Sequence, residues 1–304
     1  MINRKQFVFG ITAFTFALAM CAASSRAAEP VNYAKFVADR ADALVVLKFV
    51  LKAGEQEIDA ECSAVMIEPT GLAICSSVGV GGSRGTPTAL KVLVGDDDNG
   101  VEAKLLARDS ELDLAWVQVK NPPTKPYVFI DLTKSAVPVI GDTLVSLRRM
   151  VKYFDRAPAL NMGHMVGTTR KPRDLYVPGG MAVDPGGPIF ASDGRVVGFV
   201  VLQVPDPEDR RGSPAQAFGR ERDYGNVILP TADVVKATER AKKAKEGEEM
   251  SAKAAERAKK EAEAEAKGGA DGPGGPSAAR PTSAPAAKPG PTTRPVDDEE
   301  EEGE

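Results

Sequence analysis

The chain has 304 residues and a formal net charge of -4, with 39 Lys and Arg against 43 Asp and Glu. That balance is too weakly basic for a nucleic-acid binder and is not uniformly acidic. Its hydrophobic content of 42% hides a partition: residues 31–236 hold nearly all the aromatic and branched apolar side chains beyond the N-terminal segment. That length is ample for one core.

Arg4 and Lys5 precede an uncharged run over 7–20, then small residues and Ser25-Arg26-Ala27. This is the pattern of an export signal spanning 1–27 and cleaved after Ala27, so the folded part is expected outside the cytoplasm, periplasmic or extracellular. Two alternatives stay open. Cys21, in Leu18-Ala19-Met20-Cys21, would carry lipid in a lipoprotein, although Met20 fits that pattern poorly. Residues 6–25 are also just long enough to anchor the chain uncleaved in a bilayer. No integral membrane domain is expected beyond this segment.

Short β-rich runs at 44–51, 64–67, 90–94, 115–119, 143–147, 196–204 and 226–229 are bounded by Gly, Pro, Asp and Asn. They predict an all-β domain over 31–236 rather than βαβ units. Cys62 and Cys75 flank Glu68-Pro69-Thr70-Gly71, a turn with proline second and glycine fourth. They fall on one face of a hairpin, and in an oxidising compartment they either form a disulfide or stand as two buried thiols. Gly95-Asp96-Asp97-Asp98-Asn99-Gly100 looks like part of a calcium loop, but Ala107 stands where the closing glutamate is needed. Asn99-Gly100 is instead read as a hairpin turn. No His, Cys and Asp cluster has metal-ligand spacing, and neither a metal nor a cofactor is expected.

Trp116, the single tryptophan, is expected in the core, and the charged segment 206–222 either rims a cleft or is a solvated excursion. Thr231 is expected to cap a helix starting at Ala232. Residues 237–267, rich in Ala, Glu, Lys and Arg, predict a charged helix without an apolar stripe, interrupted at Gly247. Residues 268–304 are rich in Pro, Gly and Ala and end in Asp297-Asp298-Glu299-Glu300-Glu301-Glu302; that composition predicts a disordered tail.

Val183-Asp184-Pro185-Gly186-Gly187-Pro188 resembles the Gly-Asp/Asn-Ser-Gly-Gly-Pro signature of the trypsin-like serine proteases, with Pro185 at the nucleophile's position. Other segments are in register. Cys62-Ser63-Ala64-Val65 through Gly71-Leu72-Ala73-Ile74 resembles the hairpin before the catalytic histidine, and Glu111-Leu112-Asp113-Leu114-Ala115 the Asp-Leu-Ala segment. Gly141-Asp142-Thr143 is similar to the opening of the second barrel, Asp193-Gly194-Arg195 to the hairpin after the nucleophile, and Gly225-Asn226-Val227 to the strand before the last helix. Together, over about 43–243, the chain resembles the HtrA/DegP-type branch. The resemblance implies two six-stranded antiparallel β-barrels; the PDZ module that the branch often carries after them is not expected here.

Carried over by position, the triad leaves one survivor. Asp113 occupies the aspartate position, Val78 the position of the histidine base, and Pro185 that of the serine. Valine cannot take a proton. Proline has neither a hydroxyl to attack a carbonyl nor an N–H to donate to an oxyanion. Val183, Asp184, Gly186 and Gly187 make up the rest of the oxyanion loop. Asp113 is read as a loop carboxylate held by local hydrogen bonds. The leading expectation is a pseudoprotease that binds an unidentified peptide or protein ligand by strand addition. A second is an active serine endopeptidase with displaced residues, pairing His164 with Ser76, Ser77 or Cys75. A third is a structural envelope protein acting through its acidic tail.

Overall fold

The computed structural model describes residues 31–53, 56–82, 85–121, 124–203, 225–251 and 256. The expected signal segment over 1–27, the 206–222 segment and the expected tail over 268–304 lie outside the described residues. The chain enters through helix α1 (Tyr33–Ala38), where the Asn32 side chain accepts from the Lys35 N–H at 3.0 Å as an N-cap.

The first barrel is built from β1 (Leu44–Ala53), β2 (Gln56–Met66), β3 (Leu72–Cys75), β4 (Thr88–Val94), β5 (Val101–Asp109) and β6 (Leu114–Val119). Neighbours run in the order β5-β4-β1-β2-β3-β6, and β5 pairs with β6 to close the ring. The second barrel closes as β10-β11-β12-β9-β8-β7. Its strands are β7 (Thr143–Arg149), β8 (Pro158–Thr169), β9 (Leu175–Gly179), β10 (Pro188–Ala191), β11 (Val196–Leu202) and β12 (Asn226–Pro230). All pairings within the two rings are antiparallel, as the resemblance implies. Closure pairs every strand of each ring on both sides, and free backbone remains only where one strand outruns its neighbour, as β5 does beyond its pairing with β4.

Alternation explains strands that apolar runs do not mark. In β5, Ala103, Leu105, Ala107 and Asp109 are buried while Lys104 and Arg108 on the opposite face are only partly so. Asn99-Gly100 does make the β4–β5 hairpin, with Val92 opposite Val101. β7 opens the second barrel, and His164 lies on β8 between Thr143 and Gly179.

The C-terminal part differs most from the sequence reading. Helix α2 (Thr231–Ala241) begins one residue early, and Thr231 is not its N-cap: its hydroxyl donates instead to the Val196 carbonyl at 3.2 Å. The helix lays Val234, Ala237, Thr238 and Ala241 inward, and the Trp116 indole N–H donates to the Thr238 hydroxyl at 2.9 Å. Helix α2 ends at Ala241; of the charged helix expected over 237–267, residues 252–255 and 257–267 lie outside the described residues, and Glu256 is helical. Beyond Ala241 the chain turns, and β13 (Glu248–Glu249) pairs in parallel with β5. Folded structure therefore extends past the expected boundary at 236.

Candidate active-site cleft

Asp113 sits in the turn before β6 with φ of 55°, a left-handed conformation uncommon outside glycine. It is 1% exposed. Its Oδ1 accepts from the Ser76 hydroxyl at 2.8 Å and from the Val78 N–H at 3.0 Å. Its Oδ2 accepts from the Leu202 N–H at 2.8 Å, at the end of β11 in the second barrel. Asp113 is thus more than a locally held carboxylate, because it ties the first barrel to the second. Burial pushes its pKa up, against the opposing pull of the donors from Val78, Leu202, Ser76 and Ser77.

Val78 follows β3 by three residues. Its backbone faces Asp113, while its side chain is 57% exposed. Its isopropyl group has no hydrogen-bonding atom to offer the carboxylate. The adjoining hydroxyls are already engaged. Ser76 donates to Asp113 and accepts from the Gly79 N–H at 3.2 Å, and the Ser77 and Ser110 hydroxyls are 3.4 Å apart. Both serines are buried.

The loop carrying Pro185 arrives from the other barrel. The Gly187 N–H donates to the Asp184 carbonyl at 2.9 Å and the Gly186 N–H to the Val200 carbonyl at 2.7 Å, closing a tight turn. Gly186 has φ of 84°, and a Cβ there would stand 2.7 Å from the Ser76 nitrogen. Only glycine allows that approach. It brings the Pro185–Gly186 step against the strand end that holds Val78 and, through Ser76, Asp113, so the three residues singled out from the sequence lie in one neighbourhood. Asp184 points toward Arg148, at 3.6 Å, and the Val183 carbonyl accepts from the Asn226 side chain at 3.3 Å.

The displaced dyad is not assembled. His164 is exposed on β8, and the hydroxyls of Ser76 and Ser77 turn to Asp113 and Ser110. Cys75 donates its thiol to the Ala115 carbonyl at 3.7 Å. Cys62 and Cys75 are free thiols, so the disulfide alternative is not the form present. The β2–β3 register pairs Ala64 with Cys75, leaving Cys62 diagonal to Cys75 rather than opposite it. Leu202 was not visible as a site residue: its contribution is a backbone N–H, 89 residues from its acceptor.

A cavity of about 450 Å³ lies elsewhere, between β4, β5 and the turn at 246–247, lined by Leu90, Ala103, Leu105 and Gly247 among others. It includes none of the residues around Asp113. Among the described residues no group of three or more His, Cys, Asp or Glu could hold a metal.

Residues 62–199 match the family model of the trypsin-like peptidase domain. The crystal structure of Deg5 is similar to this chain with a TM-score of 0.49 and 15% identity, over 67% of this chain and 90% of that one. No curated protein sequence matches. The matched stretch contains β3, Val78, Asp113 and the Pro185 loop, and over it the chain is similar to the trypsin-like peptidase domain.

Proposed function

We propose that this is an exported, catalytically inactive member of the HtrA/DegP-type branch that binds an extended peptide or protein partner in the cleft between its barrels. One observation carries the reading: Asp113 is in place and fully hydrogen-bonded, while Val78 and Pro185 occupy the positions that meet it. Acyl transfer needs an alcohol, a base and two oxyanion donors. Here the alcohol, the base and one donor are missing together. What the barrels still offer is strand addition, which uses backbone groups and needs no reactive side chain. The export reading rests on the sequence of residues 1–27, and the HtrA-type assignment on the motifs between 43 and 243.

Two measurements test it. The purified chain is treated with a fluorophosphonate probe, and no labelling above a heat-denatured control is expected; specific labelling would overturn inactivity. A library of extended peptides is then screened by fluorescence anisotropy. Saturable binding, lost on substitution of Leu202 by proline, is expected. Binding that persists in that variant would move the ligand out of the cleft.

A further inference from the structure

Cys62 on β2 and Cys75 at the end of β3 share one face of the hairpin as diagonal neighbours. Cys75 has no exposure, and Cys62 is half-buried. A Cβ at Gly79 would be 3.4 Å from the Cys62 Cβ and 3.2 Å from the Ser76 carbonyl oxygen. The two thiols therefore abut the 76–79 turn, which supplies the Ser76 and Val78 donors to Asp113. A hydrogen bond with the Cys62 thiol, then burial, hold the Cys75 thiol well above its ordinary pKa, so Cys62 is the one that reacts first.

We propose that Cys62 and Cys75 form a redox-modification site, a dithiol that small-molecule disulfides convert reversibly to a cystine, thereby locking the 76–79 turn. Diagonal cross-strand Cα atoms lie roughly 7–8 Å apart, whereas a disulfide wants them within about 7 Å. Closing the bond draws the end of β3 toward β2 by about an ångström, and the turn must follow. The same strain keeps the bond reducible.

The exchange has two steps. The Cys62 sulfur, its proton released to solvent, attacks one sulfur of a disulfide such as oxidised glutathione; the S–S bond breaks and one thiol leaves, taking up a proton. The Cys75 sulfur, deprotonated in turn, attacks the Cys62 sulfur and expels the second thiol. Two protein thiols and one disulfide thus become one cystine and two thiols, and two electrons pass from protein to reagent.

The test uses the full chain equilibrated in glutathione buffers of varying ratio, quenched with iodoacetamide and mapped without reduction. The expected product is a Cys62–Cys75 cross-linked peptide, lighter by two hydrogen atoms, which disappears in reduced buffer. In a Cys75→Ala variant the reaction is expected to stop as a glutathione adduct on Cys62. Amide exchange over 76–79 is expected to slow about tenfold on oxidation. Alkylation of both cysteines after oxidation, or a persistent Cys62 adduct in the native chain, would overturn the pairing. A cross-link with unchanged exchange over 76–79 would overturn the lock. None of these readouts depends on a ligand in the cleft, so they stand or fall separately from the peptide-binding reading.

Discussion

The Asp113 carboxylate is held by the Ser76 hydroxyl and by the Val78 and Leu202 N–H groups, with no imidazole among its partners. Burial outweighs the donors from Val78, Leu202, Ser76 and Ser77 and raises its pKa from 3.8. The folded state then binds a proton more tightly than the unfolded chain. Stability from this group is fully present below about 3.8 and is lost as pH rises through the folded value. Asp113→Asn cannot titrate. Its amide would also turn an N–H toward one of the donors, for a loss of about 1–3 kcal/mol at low pH. The wild-type lead over the variant, from urea unfolding, should therefore shrink as pH is raised from 3 to 7. A widening lead would mean that the donors outweigh burial. At this scale the sequence was legible where chemistry depends on side-chain identity, as at Val78, Asp113 and Pro185. Leu202 acts through its backbone, which every residue but proline shares, and no sequence signal marks it.

At the scale of elements, the segment after α2 shows tertiary context overriding propensity. Its Glu, Lys and Arg favour helix locally, but Gly247 has φ of 73° and its N–H reaches the Leu106 carbonyl at 2.9 Å. The Met250 N–H then reaches the Arg108 carbonyl at 2.7 Å, and Glu249 accepts from the Ser110 N–H at 3.0 Å and hydroxyl at 2.6 Å. The outer edge of β5 is thereby covered. Because Glu249 also faces Arg108 at 3.4 Å in a largely buried setting, Glu249→Ala should cost about 1–3 kcal/mol. Truncation after Ala241 should cost at least as much, with faster amide exchange along β5, whereas truncation after residue 256 should leave thermal unfolding unchanged. Equal stability of all three chains would show that β13 contributes nothing. A two-residue strand defined by its neighbour has no period of its own to read, and β5 was hidden because its outward lysine and arginine interrupt the apolar run.

Across the whole molecule, the barrels are fastened at several points. Arg149 donates to the carbonyls of Leu44 at 2.6 Å and Ala41 at 2.9 Å, and Arg156 reaches Asp98 at 2.7 Å across from the first barrel. Lys152 joins the same carboxylate at 2.8 Å. These bonds pull the Asp98 pKa from 3.8 down to about 2. Their contribution is present above the ordinary value and is lost as pH falls through about 2, opposite in sign to Asp113. The carboxyl carbon of Asp98, followed by NMR, should titrate near 2 and return toward 3.8 when Lys152 and Arg156 are both replaced by methionine. An unchanged titration in that double variant would mean the fastening does not operate in solution. The two-barrel plan itself was legible because five motifs fell in order along the chain. The fastenings were not, because arginine pairs across about 60–110 positions leave no local pattern.

The tight approach of Gly186 to Ser76 has a consequence for any guest of this cleft. With the rims already touching, and a carboxylate stitched to donors from both halves, the groove arrives pre-shaped and gives up little freedom when occupied. If the cleft holds a peptide without cleaving it, as proposed, affinity that a working hydrolase must reserve for a fleeting intermediate is available to the resting ligand.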